Sequence, residues 1–195
     1  MAKQPLAELK ALLQERCFQY GDFTLSSGRK SRYYYNGKLV TLSPRGAYLV
    51  GQALTDLVRP TEAQAIGGLA IGADPIVTAV ALVSGMDGGR PIPAFIVRKE
   101  AKGHGARDRI AASAAVDGGE LIVPGLPVAL VDDVVTTAGS ILQAAEAAEA
   151  AGCRVVLTLA IVDRQEGGAE ALAARGYPFQ ALFRADMEGR LSMSS

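Results

Sequence analysis

The stretch from Val128 to Ser140 constrains the fold of this chain more than any other segment. It begins as an unbroken apolar run, which is typical of a strand buried on both faces of a parallel sheet. Two carboxylates, Asp132 and Asp133, come next, and after Gly139 the residues are rich in helix-forming Ala, Leu and Glu. Acids at the passage from a strand into a helix indicate the ligand crevice of an open α/β sheet.

The loop after the two acids has the composition of a phosphate site. Small residues let backbone N–H groups approach an anion closely, and a helix N-terminus favours negative charge. Thr136, Thr137 and Ser140 add hydroxyl donors. Since carboxylates repel phosphate, we expect Asp132 and Asp133 to face sugar hydroxyls or hydrated Mg²⁺. A capped helix after a core strand, with two solvated acids, is the alternative, but the run as a whole favours a ribose 5-phosphate site.

Composition sets broader limits. The 195 residues fit one domain, and 49% of them are hydrophobic, which is enough for a full core. The formal net charge is zero, so nothing indicates nucleic acid or a membrane as partner. Cys17 and Cys153 form no metal pattern and imply no disulfide. With no signal-peptide core at the N-terminus and no membrane-spanning run, we expect a reducing cytoplasm.

The rest of the chain predicts further α/β units. An amphipathic helix over 5–17 precedes two short strands around a Ser-Ser-Gly turn. A strand over 65–69 leads through a glycine-rich loop into a helix over 76–83, and a tight turn alone would explain that loop. The pattern also predicts a hairpin over 111–123, a buried strand over 154–162 and a last strand over 177–185.

Three segments together resemble the orotate phosphoribosyltransferase family, and the likeness covers nearly the whole chain. Residues 128–140 resemble the motif that binds phosphoribosyl pyrophosphate (PRPP) in type I phosphoribosyltransferases. Residues 23–28, followed by paired aromatics, resemble that family's Phe-Thr-Leu-x-Ser-Gly segment. Residues 98–105 are similar to its loop Arg-Lys-x-x-Lys-x-His-Gly, the most specific of the three matches.

The resemblance implies a fold and a reaction. We expect an α/β fold, a Rossmann-like parallel sheet flanked by helices, as one domain over 1–195 in which residues 1–40 contribute a hood. The implied reaction joins orotate to the ribose 5-phosphate of PRPP, giving orotidine 5′-monophosphate and pyrophosphate. Mg²⁺ is expected as cofactor, held mainly by PRPP and water. A homodimer is implied, in which a mobile basic lid closes over the neighbouring subunit's site.

The family's functional residues carry over by position. The PRPP contacts expected from the resemblance are Ser26, Ile71, Gly72, Arg98, Lys99, Lys102, His104, Asp132, Asp133, Val134, Val135, Thr136, Thr137, Ala138, Gly139 and Ser140. Those expected for orotate are Tyr34, Tyr35, Thr136 and Arg164, the two tyrosines largely through their backbone. Those expected to act in catalysis are Lys102, His104, Asp132 and Asp133. Ser26 departs from the family, because many members have a PRPP-binding Lys there.

Other interpretations stay open at this point. The basic run at 98–109 is also typical of a solvated loop, and Arg164 could form a strand-end ion pair with Asp163 or Glu166. The PRPP motif alone also fits a phosphoribosyltransferase for a purine or another pyrimidine, although residues 23–35 and Arg164 argue against it. A regulator that senses PRPP and binds nucleic acid would need a basic face, which zero net charge disfavours.

Overall fold

The computed structural model describes residues 3–24, 30–100, 109–112 and 115–194. The helices are α1 (Lys3–Arg16), α2 (Lys38–Thr41), α3 (Pro44–Val58), α4 (Asp74–Met86), α5 (Gly139–Ala150) and α6 (Gly168–Ala174). The strands are β1 (Phe18–Thr24), β2 (Lys30–Tyr35), β3 (Ala65–Leu69), β4 (Ala94–Val97), β5 (Ile110–Ala112), β6 (Pro127–Val135), β7 (Arg154–Asp163), β8 (Phe179–Ala185) and β9 (Leu191–Met193).

The strand predicted from residue 128 is the middle strand of a seven-stranded sheet. The strand order is β5-β4-β3-β6-β7-β8-β9, and the five inner strands run parallel. The two edge strands, β5 and β9, pair antiparallel with their neighbours. The predicted parallel sheet is therefore confirmed, with antiparallel strands closing both of its edges.

Helices cover both faces of the sheet, because β6 buries alternate residues on opposite sides. Ala129 and Val131 belong to one core, shared with α1, α3 and α4. Val128 and Leu130 belong to the other core, shared with α5 and α6. Such two-sided burial explains why the sequence of β6 is apolar without alternation.

The sheet has a topological switch point between β3 and β6. From β3 the chain passes through α4 to β4 on one side, and from β6 it passes through α5 to β7 on the other side. The loops that leave the carboxyl ends of β3 and β6 therefore diverge and enclose a crevice between them. Both loops singled out in the sequence lie at this crevice.

A separate two-stranded ribbon, β1 with β2, precedes the main sheet. The strands are antiparallel, with Phe18 opposite Tyr35, as predicted for this segment. Phe18, Tyr33 and Tyr35 pack into the same core as α1 and α3. The predicted turn at residues 25–29 lies outside the described residues, and the hood role of residues 1–40 stays a prediction.

Two strand predictions are wrong. Residues 110–112 pair with β4, where the apolar segment 95–97 lies opposite them, and residues 121–123 form no strand. The strand over 177–185 is not the last one, since β9 adds to its outer edge. β9 has only three residues, which is too short for a periodic signal. The helix predicted over 76–83 is also longer and ends at Met86.

Gly68→Ala should destabilise the protein, because a Cβ at residue 68 would clash with the carbonyl oxygen of Val131 and the Cβ of Ala73. We expect a loss of about 1–3 kcal/mol in the free energy of unfolding, measured by urea denaturation. Gly85→Ala is the matched control in α4, where a Cβ meets open space among the described residues. It should gain up to about 1 kcal/mol from helix propensity. Equal unfolding midpoints for the two variants would contradict this packing.

Candidate active site

Two buried carboxylates stand at the end of β6. Asp132 and Asp133 are only 9% and 8% exposed, and the Asp133 N–H donates to Asp132 Oδ1 over 2.9 Å. Burial, reinforced by the charge of Asp133, raises the pKa of Asp132 to about 7, against a hydrogen bond from Ser140. Burial also raises the pKa of Asp133, although the positive charge of Lys38 opposes this. Hydroxyl donors or a developing cation would therefore stabilise the pair, whereas an anion would not.

The glycine-rich loop after β3 lies against these acids. A Cβ on Gly72 would be 3.2 Å from Asp132 Oδ1 and 3.3 Å from Asp133 Oδ1. Ile71 beside it is 68% exposed, and the Ala70–Ile71 peptide bond is cis. The structure thus brings together the two loops that the sequence predicted to share one ligand.

The loop over 136–140 presents backbone to the crevice. Ala138 has a left-handed conformation, with φ of 63°, and occupies the N-cap position of α5. An alanine has no side-chain acceptor, so the first N–H groups of α5 remain available to an anion. Gly168 supports the loop from behind, because a Cβ there would lie 2.6 Å from the Thr136 carbonyl oxygen. The loop backbone is therefore held in place by close packing.

Arg164 lines a cavity of about 910 Å³ together with residues of β1, β2 and the β8–β9 turn. Its Nε lies 2.9 Å from Glu166 Oε1, and its guanidinium carbon lies 4.4 Å from the centre of the Tyr33 ring. The ion pair considered as an alternative is present, and Arg164 still lines the cavity. The ion pair therefore leaves Arg164 on the wall of this cavity, and its predicted contact with the orotate carboxylate stays a prediction.

The paired aromatics of β2 point to opposite sides. Tyr35 is buried, with its ring 5.2 Å from that of Phe18. Tyr34 is exposed, and its ring lies 5.9 Å from that of Phe23. Side chains that diverge in this way fit the expectation that the two residues contact orotate mainly through their backbone, which stays a prediction.

The first and last residues of the predicted basic lid, Arg98 and Arg109, are neighbours in the structure. The Arg98 N–H donates to the Arg109 carbonyl over 2.7 Å, so the two ends of the segment lie side by side at the end of β4. Lys99 follows and is exposed. Lys102 and His104 lie outside the described residues, as does Ser26, and their roles stay predictions.

Comparisons with known proteins decide the family. The chain is 48% identical over 186 residues to the orotate phosphoribosyltransferase of Thermosynechococcus vestitus. The aligned residues cover 95% of this chain and 94% of that protein. This chain belongs to the orotate phosphoribosyltransferase family. The structure also matches Mycobacterium tuberculosis orotate phosphoribosyltransferase, solved with Fe(III) dicitrate, at 37% identity and a TM-score of 0.77, over 91% of this chain and 94% of that one. No family model matches the chain.

A second structure of the M. tuberculosis orotate phosphoribosyltransferase was solved in complex with PRPP. It matches at 34% identity with a TM-score of 0.73, again over 91% of this chain and 94% of that one. Family membership confirms the predicted type I phosphoribosyltransferase fold. It also confirms the predicted enzyme class, a pentosyltransferase that forms orotidine 5′-monophosphate from PRPP and orotate in pyrimidine biosynthesis.

Sequence reasoning missed one side of this orotate phosphoribosyltransferase site. A Cβ on Gly37 would lie 2.7 Å from Asp133 Oδ2, so the start of α2 packs directly against the acid pair. Lys38 follows and supplies the nearby positive charge. The only sequence signal is an Asn-Gly-Lys turn after the aromatic strand, and it does not show which distant segment it contacts.

Across the described ranges, helices long and apolar enough to cross a bilayer are absent. The same ranges contain no group of three or more His, Cys, Asp or Glu side chains that could hold a metal ion.

Asp132→Asn should stabilise the ligand-free protein at pH 8. Because the folded-state pKa is raised from 3.8 to about 7, wild-type stability falls as the pH rises between these values, and Asn escapes this loss. The difference in melting temperature between Asp132→Asn and wild type should increase from about pH 4 to about pH 7 and stay constant above that.

Differential scanning fluorimetry across this range measures this difference. Asp56→Asn, on the exposed side of α3, controls for the change in net charge. A lower melting temperature for Asp132→Asn than for wild type at pH 8 would contradict the assigned cost of burial.

Proposed function

We propose that the crevice between β3 and β6 holds PRPP and that Arg164 receives the carboxylate of orotate. The observation that supports this most is the meeting of Gly72, the acid pair and the start of α5 at one switch point. Backbone N–H groups from Thr137 to Ser140 would bind the 5′-phosphate, and Ile71 and Gly72 the diphosphate. Asp132 and Asp133 would bind the ribose hydroxyls.

Catalysis in this arrangement rests on positioning and electrostatics. A ring nitrogen of orotate attacks the anomeric carbon while the bond to pyrophosphate breaks, and positive charge develops on the sugar. The two buried carboxylates face that charge. Arg98, Lys99, Lys102 and His104 neutralise the leaving pyrophosphate, and closure of their segment excludes water. Histidine ordinarily titrates at about pH 6.5, so His104 could also donate a proton.

The residues present fit Mg²⁺ as cofactor. Hard oxygen donors suit this ion, which usually binds one or two carboxylates together with substrate phosphates and water. The acid pair supplies such oxygens beside the loop proposed for the diphosphate. When bound, Mg²⁺ would neutralise charge that builds on the diphosphate. We propose that PRPP and water provide most of its ligands, while the acids orient the ribose.

The base preference is tested by mixing protein, Mg²⁺ and PRPP with orotate, uracil or adenine and following pyrophosphate release. We expect release with orotate only, since uracil and adenine lack the carboxylate that Arg164 would bind. Release with adenine or uracil but not with orotate would support a phosphoribosyltransferase for another base. Salt-dependent RNA or DNA binding without pyrophosphate release would support a regulator.

A homodimer is also part of this proposal. An apolar groove of about 630 Å³ runs between α2, α3 and α4, where Leu42 and Leu82 are 68% and 62% exposed. Large exposed apolar side chains that line one groove are typical of an interaction surface. Ile71, from the loop proposed to bind the diphosphate, lines the same groove. A second copy seated there would lie next to the active site and could extend its lid over it.

Sharing of the lid is tested by subunit complementation. Lys102→Ala should lower turnover more than PRPP affinity, and Asp133→Asn should weaken PRPP use without unfolding the protein.

If the lid of one subunit serves the other, a mixed dimer of these two variants has one site with both residues intact. Random reassociation of equal amounts should then restore about a quarter of wild-type activity.

Wild type carried through the same dissociation and reassociation is the control for that mixture. Activity of the mixture equal to the mean of the two variants would show that each lid serves its own subunit. A monomer by light scattering would remove the dimer from the proposal.

The cytoplasm is the compartment that we propose. Cys17 is a buried free thiol. Free thiols are typical of proteins in reducing compartments, which fits the expectation from the sequence.

A further inference from the structure

The side chain of Arg164 is restrained by two contacts before any substrate arrives. Glu166 Oε1 lies 2.9 Å from the Arg164 Nε, and the Arg164 guanidinium carbon lies over the Tyr33 ring, 4.4 Å from the ring centre. The Arg164 side chain is only 7% exposed, while that of Glu166 is 18% exposed. An ion pair and a cation–π contact on the same guanidinium together restrict its rotation.

A left-handed residue brings Glu166 back to Arg164. Gln165 has a φ of 55°, which is uncommon for a residue other than glycine. Its N–H donates to Asp163 Oδ1 over 2.8 Å, and its side-chain amide donates to the Ala185 carbonyl over 3.1 Å. The surroundings therefore impose this conformation, and an unfavourable conformation kept in this way is typical of functional sites.

The negative charge of Glu166 is unfavourable in a cavity that is proposed to bind an anion, unless it has another role. The cavity is proposed to accept the carboxylate of orotate, and a second carboxylate on its wall repels such a ligand. Lys30 and Arg32 offset part of this charge, but Asp22, Asp186 and Glu188 also line the cavity. An acid beside an anion site is explained if it orients the cation that binds the anion.

We propose that Glu166 is a positioning residue for orotate recognition: through the Nε contact, and with the guanidinium carbon over the Tyr33 ring, it holds the fork of Arg164 in the orientation that a carboxylate needs. This inference rests on the proposed role of Arg164. A planar fork oriented in advance loses less freedom on binding and therefore binds more tightly. Removing the charge of Glu166 distinguishes its two possible effects on orotate binding. If Glu166 only repels the orotate carboxylate, orotate binds more tightly without that charge. If Glu166 positions Arg164, orotate binds more weakly.

Glu166→Gln is the test, with Glu188→Gln as its matched control. Glu188 lines the same cavity but pairs with Arg190 over 3.2 Å, so its variant removes an equal charge from the wall. For Glu166→Gln we expect the KM for orotate to rise about tenfold, with kcat changed less than about twofold. The KM for PRPP should not change. For Glu188→Gln the KM for orotate should stay the same or fall.

Arg164→Ala separates failure of this inference from failure of the site. An unchanged orotate KM in Arg164→Ala would overturn the proposed orotate site and the inference with it. A raised KM in Arg164→Ala, together with an unchanged or lower KM in Glu166→Gln, would overturn the inference alone. A KM for PRPP that rises as much as the KM for orotate in Glu166→Gln would also overturn it, because it would show a general structural role.

Discussion

Burial of two adjacent carboxylates at the end of β6 is the constraint on which the rest of the site depends. Removing an ionised carboxylate from water is costly unless hydrogen bonds or positive charge compensate. Here the Asp133 N–H and Ser140 compensate only in part at Asp132, and Lys38 only in part at Asp133, so the pKa of both carboxyls stays raised. A sugar that offers hydroxyl donors and then develops positive charge supplies the missing compensation. The buried acid pair therefore lowers the folding stability of the ligand-free protein, and the same carboxylates are positioned to stabilise positive charge in the transition state.

The fold delivers this pair to its ligand through close backbone approaches. Gly37 and Gly72 bring two separate segments against the acids, and Gly168 holds the loop that follows them. A Cβ at Gly37 or Gly168 would clash with Asp133 or with the Thr136 carbonyl oxygen, and a Cβ at Gly72 would be in tight contact with both acids. Because β3 and β6 lead into helices on opposite faces of the sheet, the crevice between them stays open to a ligand.

The central unit could be predicted from the sequence because its signals are local. An apolar run, an acid pair and small residues before a helix lie within residues 128–140, and β6 and α5 follow that pattern. Pairing of β5 with β4 and the contact of Gly37 with Asp133 join distant segments, and local periodicity carries no information about them. The sequence offers the ion pair of Arg164 only as an alternative to a functional role, and the structure shows that ion pair on the wall of the cavity.

A crystal structure with orotidine 5′-monophosphate tests the central claim most directly. The account predicts that the phosphate accepts hydrogen bonds from the N–H groups of Thr137 to Ser140, that the ribose hydroxyls bind Asp132 and Asp133, and that the base carboxylate lies on Arg164. A phosphate bound elsewhere, with both acids left without contact to the sugar, would contradict the account.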